Sequence, residues 1–226
     1  MEATSTAATR PRSHRRGSNV RAAVLAAALA ELAEAGYAAL TVDNVAQRAG
    51  VHKTTVYRRW PDRERLVADA LTDHIAAEVP IPDTGAIDAD LREHARALVR
   101  WLNSPTGRAV IGTLVSDAGR IPDIAAIKHR FFDDRFHRAE PIIQRAIARG
   151  ELPVATDPSA LVKAAVAPIY LRLLVTAEPI DDAVADQAAR AALAAARAGA
   201  LGPAGDENRD GPAGAKRGEI AYNTQS

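Results

Sequence analysis

Apolar residues recur at helical spacing along most of the chain, and no segment shows the alternation of a half-buried strand. Leu25, Leu29 and Leu32 fall at i, i+4 and i+7 on one helix face. They predict a first helix that begins near Ser18, a favoured N-cap residue, and ends at Gly36. The pattern therefore indicates an all-α protein.

Two short helical segments around a glycine-bearing turn follow the first helix. The first begins after the N-cap residue Thr41 and ends before Gly50, and the second covers residues 54–59. A longer helix then begins after Asp62, a second capping residue. The apolar side chains expected to hold these segments together are Val45, Val51, Val56 and Leu66. One amphipathic helix followed by this pair is the pattern of a helix-turn-helix.

Helical patterns recur beyond a proline-containing joint at residues 79–83. They cover about residues 88–103, 106–119, 123–149, 158–177 and 181–198. Pro141 and Pro168 lie inside two of these segments, so we expect a kink or break at each. The predicted fold is an N-terminal three-helix bundle with a helix-turn-helix, followed by a larger C-terminal helical domain.

Composition supports a globular, mainly helical protein. Of 226 residues, 47% are hydrophobic and only 4% aromatic, and the chain contains no Cys, which excludes disulfides, thiolate nucleophiles and Cys-ligated zinc. No uncharged apolar run reaches the ~18 residues of a membrane span, and the N-terminus lacks the apolar core of a secretory signal. We therefore expect a cytoplasmic protein without membrane contact.

The net charge of +1 conceals a division along the chain. Residues up to Leu66 carry eleven Lys and Arg against six acidic residues, a net charge of +5, and the remainder carries −4. A basic end on a slightly acidic body favours a polyanionic partner. The N-terminal arm carries four of these basic residues, Arg10, Arg12, Arg15 and Arg16. Two interpretations of this arm stay open: it contacts the minor groove or phosphates of DNA, or it keeps the protein in solution.

The second short helix is the candidate recognition element. Its phase turns Val56 inward and leaves a basic, hydroxyl-bearing face outward. The outward or edge residues are Lys53, Thr54, Thr55, Tyr57 and Arg58. Such a face suits a major groove, because Lys and Arg donate to guanine and Thr offers a hydroxyl or a methyl group to base edges. The alternative is an ordinary short helix with a solvated basic face.

Three further residues are candidates for contacts with the DNA backbone. Thr41, Arg59 and Arg63 lie at helix ends, where proteins commonly meet phosphates. Trp60 is interpreted as a core residue between the recognition helix and the next helix.

Residues 40–66 read LTVDNVAQRAGVHKTTVYRRWPDRERL and resemble the DNA-binding signature of the TetR family of bacterial repressors. The resemblance extends back through residues 28–29 and 35–37. It implies an all-helical homodimer whose N-terminal domain binds a palindromic operator and whose C-terminal domain dimerises and holds an inducer. His52 departs from the pattern, since many relatives have Ser there.

The resemblance also implies roles for individual residues. Those implied to face bases or adjoining phosphates are Lys53, Thr54, Tyr57 and Arg58. Those implied to clamp the backbone are Thr41, Thr55 and Arg63. The predicted division of the chain is a disordered arm at 1–17, a DNA-binding domain at 18–66, a ligand-binding and dimerisation domain at 67–198, and a disordered tail at 199–226.

The C-terminal half resembles one actinobacterial-type branch of the family more loosely, through residues 149–152 and 167–175. The resemblance implies that the last two long helices pair across a two-fold axis as a four-helix bundle. The predicted dimer contacts are Leu161, Ala165, Ile169, Leu173, Ala185, Ala189 and Ala192. The alternative is that these stripes form the core of one chain.

Aromatic residues of the C-terminal half are candidates for contact with a ligand. Trp101, Phe131, Phe132 and Phe136 could line a cavity between helices, with plain core packing as the alternative.

A metal site is a weaker candidate. His129, Asp133 and His137 share one helix face, but positions i and i+8 lie about 12 Å apart on a helix and cannot all bind one ion. We therefore predict a solvated charged face and no metal site.

The chain carries no phosphate-binding glycine loop, no His-Glu-x-x-His and no Gly-x-Ser-x-Gly, so neither an enzyme nor a cofactor is expected. The predicted function is a homodimeric, sequence-specific repressor that a small-molecule inducer releases from a palindromic operator. The alternatives are an activator or architectural regulator without an inducer, and a helical interaction module that has lost DNA binding.

Overall fold

The structure is a computed structural model that describes the backbone of residues 12–116 and 121–202 and the side chains of residues 17–115 and 121–202. These residues form nine α-helices and no strand, which confirms the predicted all-α class. The helices are α1 Arg12–Ala39, α2 Val42–Arg48, α3 Lys53–Tyr57, α4 Arg63–Glu78, α5 Ile87–Asn103, α6 Pro105–Ser116, α7 Pro122–Ala148, α8 Pro158–Leu171 and α9 Asp182–Arg197. A π-helical turn, Arg172–Thr176, continues α8.

The first helix begins earlier than the apolar pattern predicts. α1 starts at Arg12 rather than near Ser18, so the end of the predicted disordered arm is helical. Arginine has a good helix propensity, which lets a polar segment extend a helix that apolar packing has already fixed. Gly36, with φ of 76°, interrupts the regular part of the helix as predicted. The rest of the predicted arm and most of the tail, residues 1–11 and 203–226, lie outside the described residues.

Capping side chains set the starts of the helices. The Thr41 hydroxyl accepts a hydrogen bond from the Asn44 amide at 3.1 Å, and an Asp62 carboxylate oxygen accepts one from the Arg65 amide at 2.6 Å. Both predicted N-caps are therefore confirmed, and each is worth about 1 kcal/mol to its helix. Asp181 caps α9 in the same way, through the Val184 amide at 2.9 Å.

The N-terminal helices contribute to a core that continues into the C-terminal helices. The predicted apolar side chains of this core lie within the protein, with Val45, Val56 and Leu66 fully buried and Val51 half-buried. Trp60 is buried too, and its indole N–H donates to Asp69 on α4 at 2.9 Å. Trp60 is therefore a core residue that fixes the end of α3 against α4.

Neither Pro141 nor Pro168 breaks its helix, because both prolines lie inside continuous helices, and a kink at each stays a prediction. An internal proline costs a helix ~3 kcal/mol or more. Around Pro141 this cost is offset by complete burial of Ile142 and Ile143, each worth ~1.5–3 kcal/mol. Pro168 is followed within one turn by the π-helical segment, where the regular helix ends.

The C-terminal helices pack around α5, α7 and α8, and α9 covers α5 and α8. Two helical stretches, Gly17–Ala39 and Pro158–Thr176, are long and apolar enough to cross a membrane by length and composition alone. Core helices of folded proteins meet the same criterion, and these two pack respectively against α4 and against α7 and α9.

The buried His94 of α5 connects the loop that precedes α5 with helix α7. The His94 Nδ1 donates to the Pro80 carbonyl at 3.0 Å, which leaves its Nε2 as an acceptor for the Arg135 guanidinium at 3.2 Å. Burial, together with a smaller effect from the charge of Arg135, lowers the pKa of His94 to about 4, against the opposing effect of the Pro80 hydrogen bond. His94 is therefore neutral at neutral pH.

The neutrality of His94 predicts a pH-dependent stability. Between about pH 6.5 and pH 4 the unfolded chain binds a proton at this position and the folded chain does not. The contribution of neutral His94 to the free energy of unfolding should thus be complete above about pH 6.5. The free energy of unfolding should fall by up to about 3 kcal/mol as the pH approaches 4. Urea unfolding across this range should show a shallower fall for His94→Gln. The exposed His129→Gln should keep the wild-type slope, and equal slopes in all three proteins would contradict the assignment.

Candidate DNA-binding surface

The recognition helix α3 is held by one buried side chain and a tight turn. Gly50, with φ of 66°, provides the left-handed turn between α2 and α3. Val56 of α3 is fully buried, which fixes the rotation of the helix about its axis. His52 occupies the N-cap of α3 and forms no capping hydrogen bond through its side chain.

The rotation of α3 turns the predicted base-facing residues into solvent. Lys53, Thr54 and Arg58 are exposed, and Tyr57 exposes 48% of its surface, unusual for a large aromatic residue. The structure therefore places these four residues together on one outer face. A face with cationic, hydroxyl and aromatic groups can donate hydrogen bonds to base edges and contact thymine methyl groups.

A groove of about 430 Å³ lies beside this face, between the start of α1 and α3. Its cationic and hydroxyl lining comes from Arg21, Thr55, Arg58 and Arg59. Three guanidinium groups around one groove suit a phosphate backbone. Arg21 was not among the predicted contacts, and the only sequence signal for it is its place in the basic first quarter of the chain. Its guanidinium also pairs with Asp73 at 2.6 Å.

A weak ion pair lies at the edge of this surface. The Lys53 ammonium lies 3.5 Å from the Asp43 carboxylate, and both side chains are mostly exposed. Such pairs contribute ~0–1 kcal/mol, so Lys53 can exchange this partner for a phosphate or a base at little cost. Thr41 is exposed as well, although its hydroxyl oxygen already caps α2.

The structure gives Arg63 partners within the protein. Its guanidinium donates to the carbonyl oxygens of Tyr37 and Leu40 at 3.3 Å each. It also lies 3.4 Å from Asp123 of α7 and 4.1 Å from the centre of the Tyr37 ring. Arg63 thus ties the two parts of the chain together, and its contact with the DNA backbone stays a prediction.

Tyr37 and Asp123 complete this tie. The Tyr37 hydroxyl donates to Asp123 at 3.0 Å, and burial together with this hydrogen bond raises the pKa of Tyr37 to about 12. Tyr37 and Asp123 are 86 positions apart, so no local sequence pattern could bring them together. We name the group Arg63, Tyr37 and Asp123 the junction.

The four aromatic residues proposed as ligand contacts separate into two pairs. Trp101 and Phe131 are buried in the core, whereas Phe132 and Phe136 line an open groove of about 480 Å³ between α7 and α8. The other residues of this outer groove are Ala125, Lys128, His129, Asp133 and Lys163. Of these four aromatic residues, only Phe132 and Phe136 are accessible to a molecule from solvent.

The predicted dimer contacts are wrong for at least six of the seven residues. Those buried inside a single chain are Leu161, Ala165, Ile169, Ala185, Ala189 and Ala192, and Leu173 packs half-buried against the same core. They face inward because α8 packs on α7 and α9, which was the alternative that the sequence left open. The opposite face of α8 and the π-helical turn instead exposes an apolar stripe, formed by Ala167, Pro168, Leu171, Leu174 and Val175.

The histidines of α7 do not converge with other ligand types. Within the described residues, no group of three His, Cys, Asp or Glu side chains could hold a metal ion. His137 lies 2.8 Å from Glu140, and this contact raises the pKa of His137.

The bundle of α1, α2 and α3, which we call the head, exposes the polar face of α3 after a tight turn. This arrangement defines a helix-turn-helix protein. A family model described as "Bacterial regulatory proteins, tetR family" matches residues 24–70, and one described as "Tetracyclin repressor-like, C-terminal domain" matches residues 81–192. The chain therefore belongs to the TetR family of bacterial transcriptional regulators, as its relatives also show.

The relatives match over most of their length. The chain is 35% identical over 162 residues to the uncharacterized HTH-type transcriptional regulator YdeS of Bacillus subtilis, covering 71% of this chain and 81% of YdeS. It is 33% identical over 177 residues to the DNA-binding transcriptional repressor TetR of Mycobacteroides abscessus, covering 74% and 88%. The crystal structure of the TetR family transcription regulator SCO0332 has a TM-score of 0.66 at 31% identity, covering 78% and 97%.

Family membership defines the class of function. TetR-family proteins are DNA-binding transcriptional regulators, generally repressors and typically dimers, and they are not enzymes.

The junction predicts that Arg63→Ala impairs stability more than DNA affinity. Loss of its hydrogen bonds and its ring contact should lower the free energy of unfolding by about 1–3 kcal/mol, as measured by thermal and urea unfolding. The exposed Arg65→Ala, on the same helix, should have little effect on stability. The junction assignment fails if Arg63→Ala leaves stability unchanged and instead reduces the salt dependence of DNA binding, the mark of a lost phosphate contact.

Proposed function

We propose that the protein is a homodimeric repressor that binds a palindromic operator and leaves it when a small molecule binds the C-terminal helices. Each subunit places α3 in the major groove, and the two half-sites lie about one helical turn or a multiple apart. The observation that carries this proposal is the outward face of α3, set by the complete burial of Val56.

The division of labour on this surface follows from the position of each side chain. Tyr57 and Arg58 project from the outer face of α3 and are assigned to base edges, although the Arg58 side chain also borders the groove. The groove beside α3 collects Arg21, Thr55 and Arg59, which are assigned to the phosphate backbone. Arg63 is assigned to the junction, because its guanidinium has partners there.

The dimer is assigned to the exposed apolar stripe of α8 and the π-helical turn. Leu171, Leu174 and Val175 expose 53%, 40% and 72% of their surfaces in a single chain. Contiguous apolar surface of this kind is typical of a protein interface. Family members are typically dimers, and a second copy of the chain is the occupant that this stripe would receive.

Release by a small molecule requires only a modest coupling energy. A hundredfold weakening of operator binding corresponds to about 2.7 kcal/mol. The junction provides a direct path, because α7 both lines the outer groove and carries Asp123.

DNA binding is tested by mobility shift on the duplex upstream of the protein's own gene. Arg58→Ala should weaken binding to the preferred sequence by about 1–3 kcal/mol and relax the preference at one base pair in each half-site. Arg59→Ala should weaken all duplexes alike and lower the slope of log K against log salt by about 1. Arg92→Ala, an exposed arginine on α5, is the control and should bind as wild type. A wild-type protein that ignores every duplex at low salt would contradict the proposal.

The dimer is tested by sedimentation of an interface variant. Leu174→Glu combined with Val175→Glu should give a monomer, because two charges would be buried against an apolar partner surface. Val154→Glu is the matched control, since Val154 exposes 87% of its surface in the α7–α8 loop. A double variant that stays dimeric at the same concentration would place the interface elsewhere.

A further inference from the structure

The interior of the C-terminal domain contains a row of aromatic rings that joins four helices. The ring centre of His74 on α4 lies 6.5 Å from that of Trp101 on α5, which in turn lies 6.3 Å from that of Phe131 on α7. Phe132 follows at 5.3 Å from Phe131, and Tyr170 on α8 lies 5.5 Å from Phe132. The row therefore runs from the helix that carries the DNA-binding head to the wall of the outer groove.

This row holds an unusual concentration of polar atoms without partners. Across the side chains that the structure describes, seven buried nitrogen or oxygen atoms form no hydrogen bond. Three of them belong to the row, namely His74 Nε2, Trp101 Nε1 and Tyr170 Oη, and the fourth, Arg135 Nη1, belongs to an arginine whose charge acts on Tyr170. Each such atom lowers the stability of the folded protein, and a charged atom does so most. Folded proteins pair nearly all their buried polar groups, so these four atoms offer hydrogen-bonding capacity to a polar ligand.

The unpartnered atoms share one chemistry. Trp101 Nε1 and Arg135 Nη1 can only donate, and the Tyr170 hydroxyl and His74 ring can donate. Arg135 is the decisive member, because it exposes only 4% of its surface and no carboxylate lies within 4.0 Å of it among the described residues. Its single side-chain partner there is the neutral His94. A buried cation without a counter-ion, beside several donors, is suited to an anion with acceptor oxygens.

Electrostatics agrees with this interpretation. Burial lowers the pKa of Arg135 to about 10, so the guanidinium still carries its charge at neutral pH. Burial also raises the pKa of Tyr170 to about 12, so its hydroxyl keeps the proton that it can donate.

The outer groove provides the apolar part of the site. Phe132 separates the groove from Tyr170, and Phe136 continues the same wall at 6.0 Å from Phe132. Lys128 and Lys163 line the groove with one acid, Asp133, and the Lys163 ammonium lies 5.7 Å from the centre of the Phe136 ring. A molecule with an aromatic body and a negative charge fits this lining better than a cation does.

We infer that the effector of this protein is an aromatic carboxylate, whose carboxylate is bound by Arg135 and Tyr170 and whose ring system lies against Phe132 and Phe136. The inference rests on the proposed function for its regulatory meaning, because the bound molecule would act as the inducer. Movement of Phe132 would connect the groove to the buried donors, and contact with His74 would reach α4, which packs against α1 of the DNA-binding head.

The test uses full-length protein and matched pairs of probes. 1-Naphthoate and indole-3-carboxylate are each compared with the corresponding primary amide, which keeps the shape and removes the charge. Binding is followed by thermal shift and by the fluorescence of Trp101 in a Trp60→Phe background, since these are the only two tryptophans. We expect the carboxylates to bind and the amides to bind ~10- to 100-fold more weakly, the range of a hydrogen-bonded charge.

Arg135→Met is the diagnostic variant. It should abolish the preference for carboxylates and, because it removes an uncompensated buried charge, raise the melting temperature of the ligand-free protein. Arg138→Met is the control, since Arg138 is exposed on the same helix and pairs with Asp134 at 2.6 Å. It should leave both properties unchanged.

The results separate this inference from the proposed function. The inference is overturned if neither carboxylate binds, if amides bind equally well, or if Arg135→Met binds carboxylates as wild type does. It is also overturned if Arg135→Met lowers the melting temperature and leaves carboxylate affinity intact, because Arg135 would then be purely structural. Operator binding by mobility shift is measured on protein that keeps Trp60, because Trp60 holds the end of α3 in place. Carboxylate binding without operator binding would remove the proposed function and keep the anion site.

Discussion

The junction is the contact on which the arrangement of the whole chain depends. Arg63 begins α4, Tyr37 lies near the end of α1, and Asp123 lies near the start of α7, so three separate segments meet at one guanidinium. Because the guanidinium also holds the carbonyl oxygens that precede α2, it fixes the base of the helix-turn-helix. The boundary predicted at residue 66 falls inside α4, and this helix in fact belongs to both parts of the protein.

The junction and the aromatic row share two helices, α4 and α7. α7 carries Asp123 near its start and Phe131 and Arg135 two to three turns later, and α4 carries Arg63 at its start and His74 near its end. The Arg130 guanidinium of α7 also lies 3.4 Å from the Glu64 carboxylate of α4, so a second ion pair joins the two helices near the start of α4. In the proposed mechanism, a ligand that shifts α7 against α4 would therefore act directly on the position of the DNA-binding head.

Local features of the site were accessible from the sequence, and long-range features were not. The phase of α3 follows from Val56 and from the two capped starts at Thr41 and Asp62, all within about twenty residues. The role of Arg63 depends on Asp123, which only the folded chain brings close. The helix α8 is apolar on two faces, so periodicity alone could not show which face packs inward, and the wrong one was assigned to the dimer. The burial of Arg135 was not predicted, because nothing in a sequence marks an arginine as buried.

The apolar stripe of α8 has a consequence for gene control. If two chains must meet before either can hold a palindrome, the active form grows with the square of the subunit concentration at low abundance. A cell with few copies would leave the operator open, and a modest rise in synthesis would close it sharply. The switch would then respond to how much regulator the cell contains as well as to what that regulator has bound.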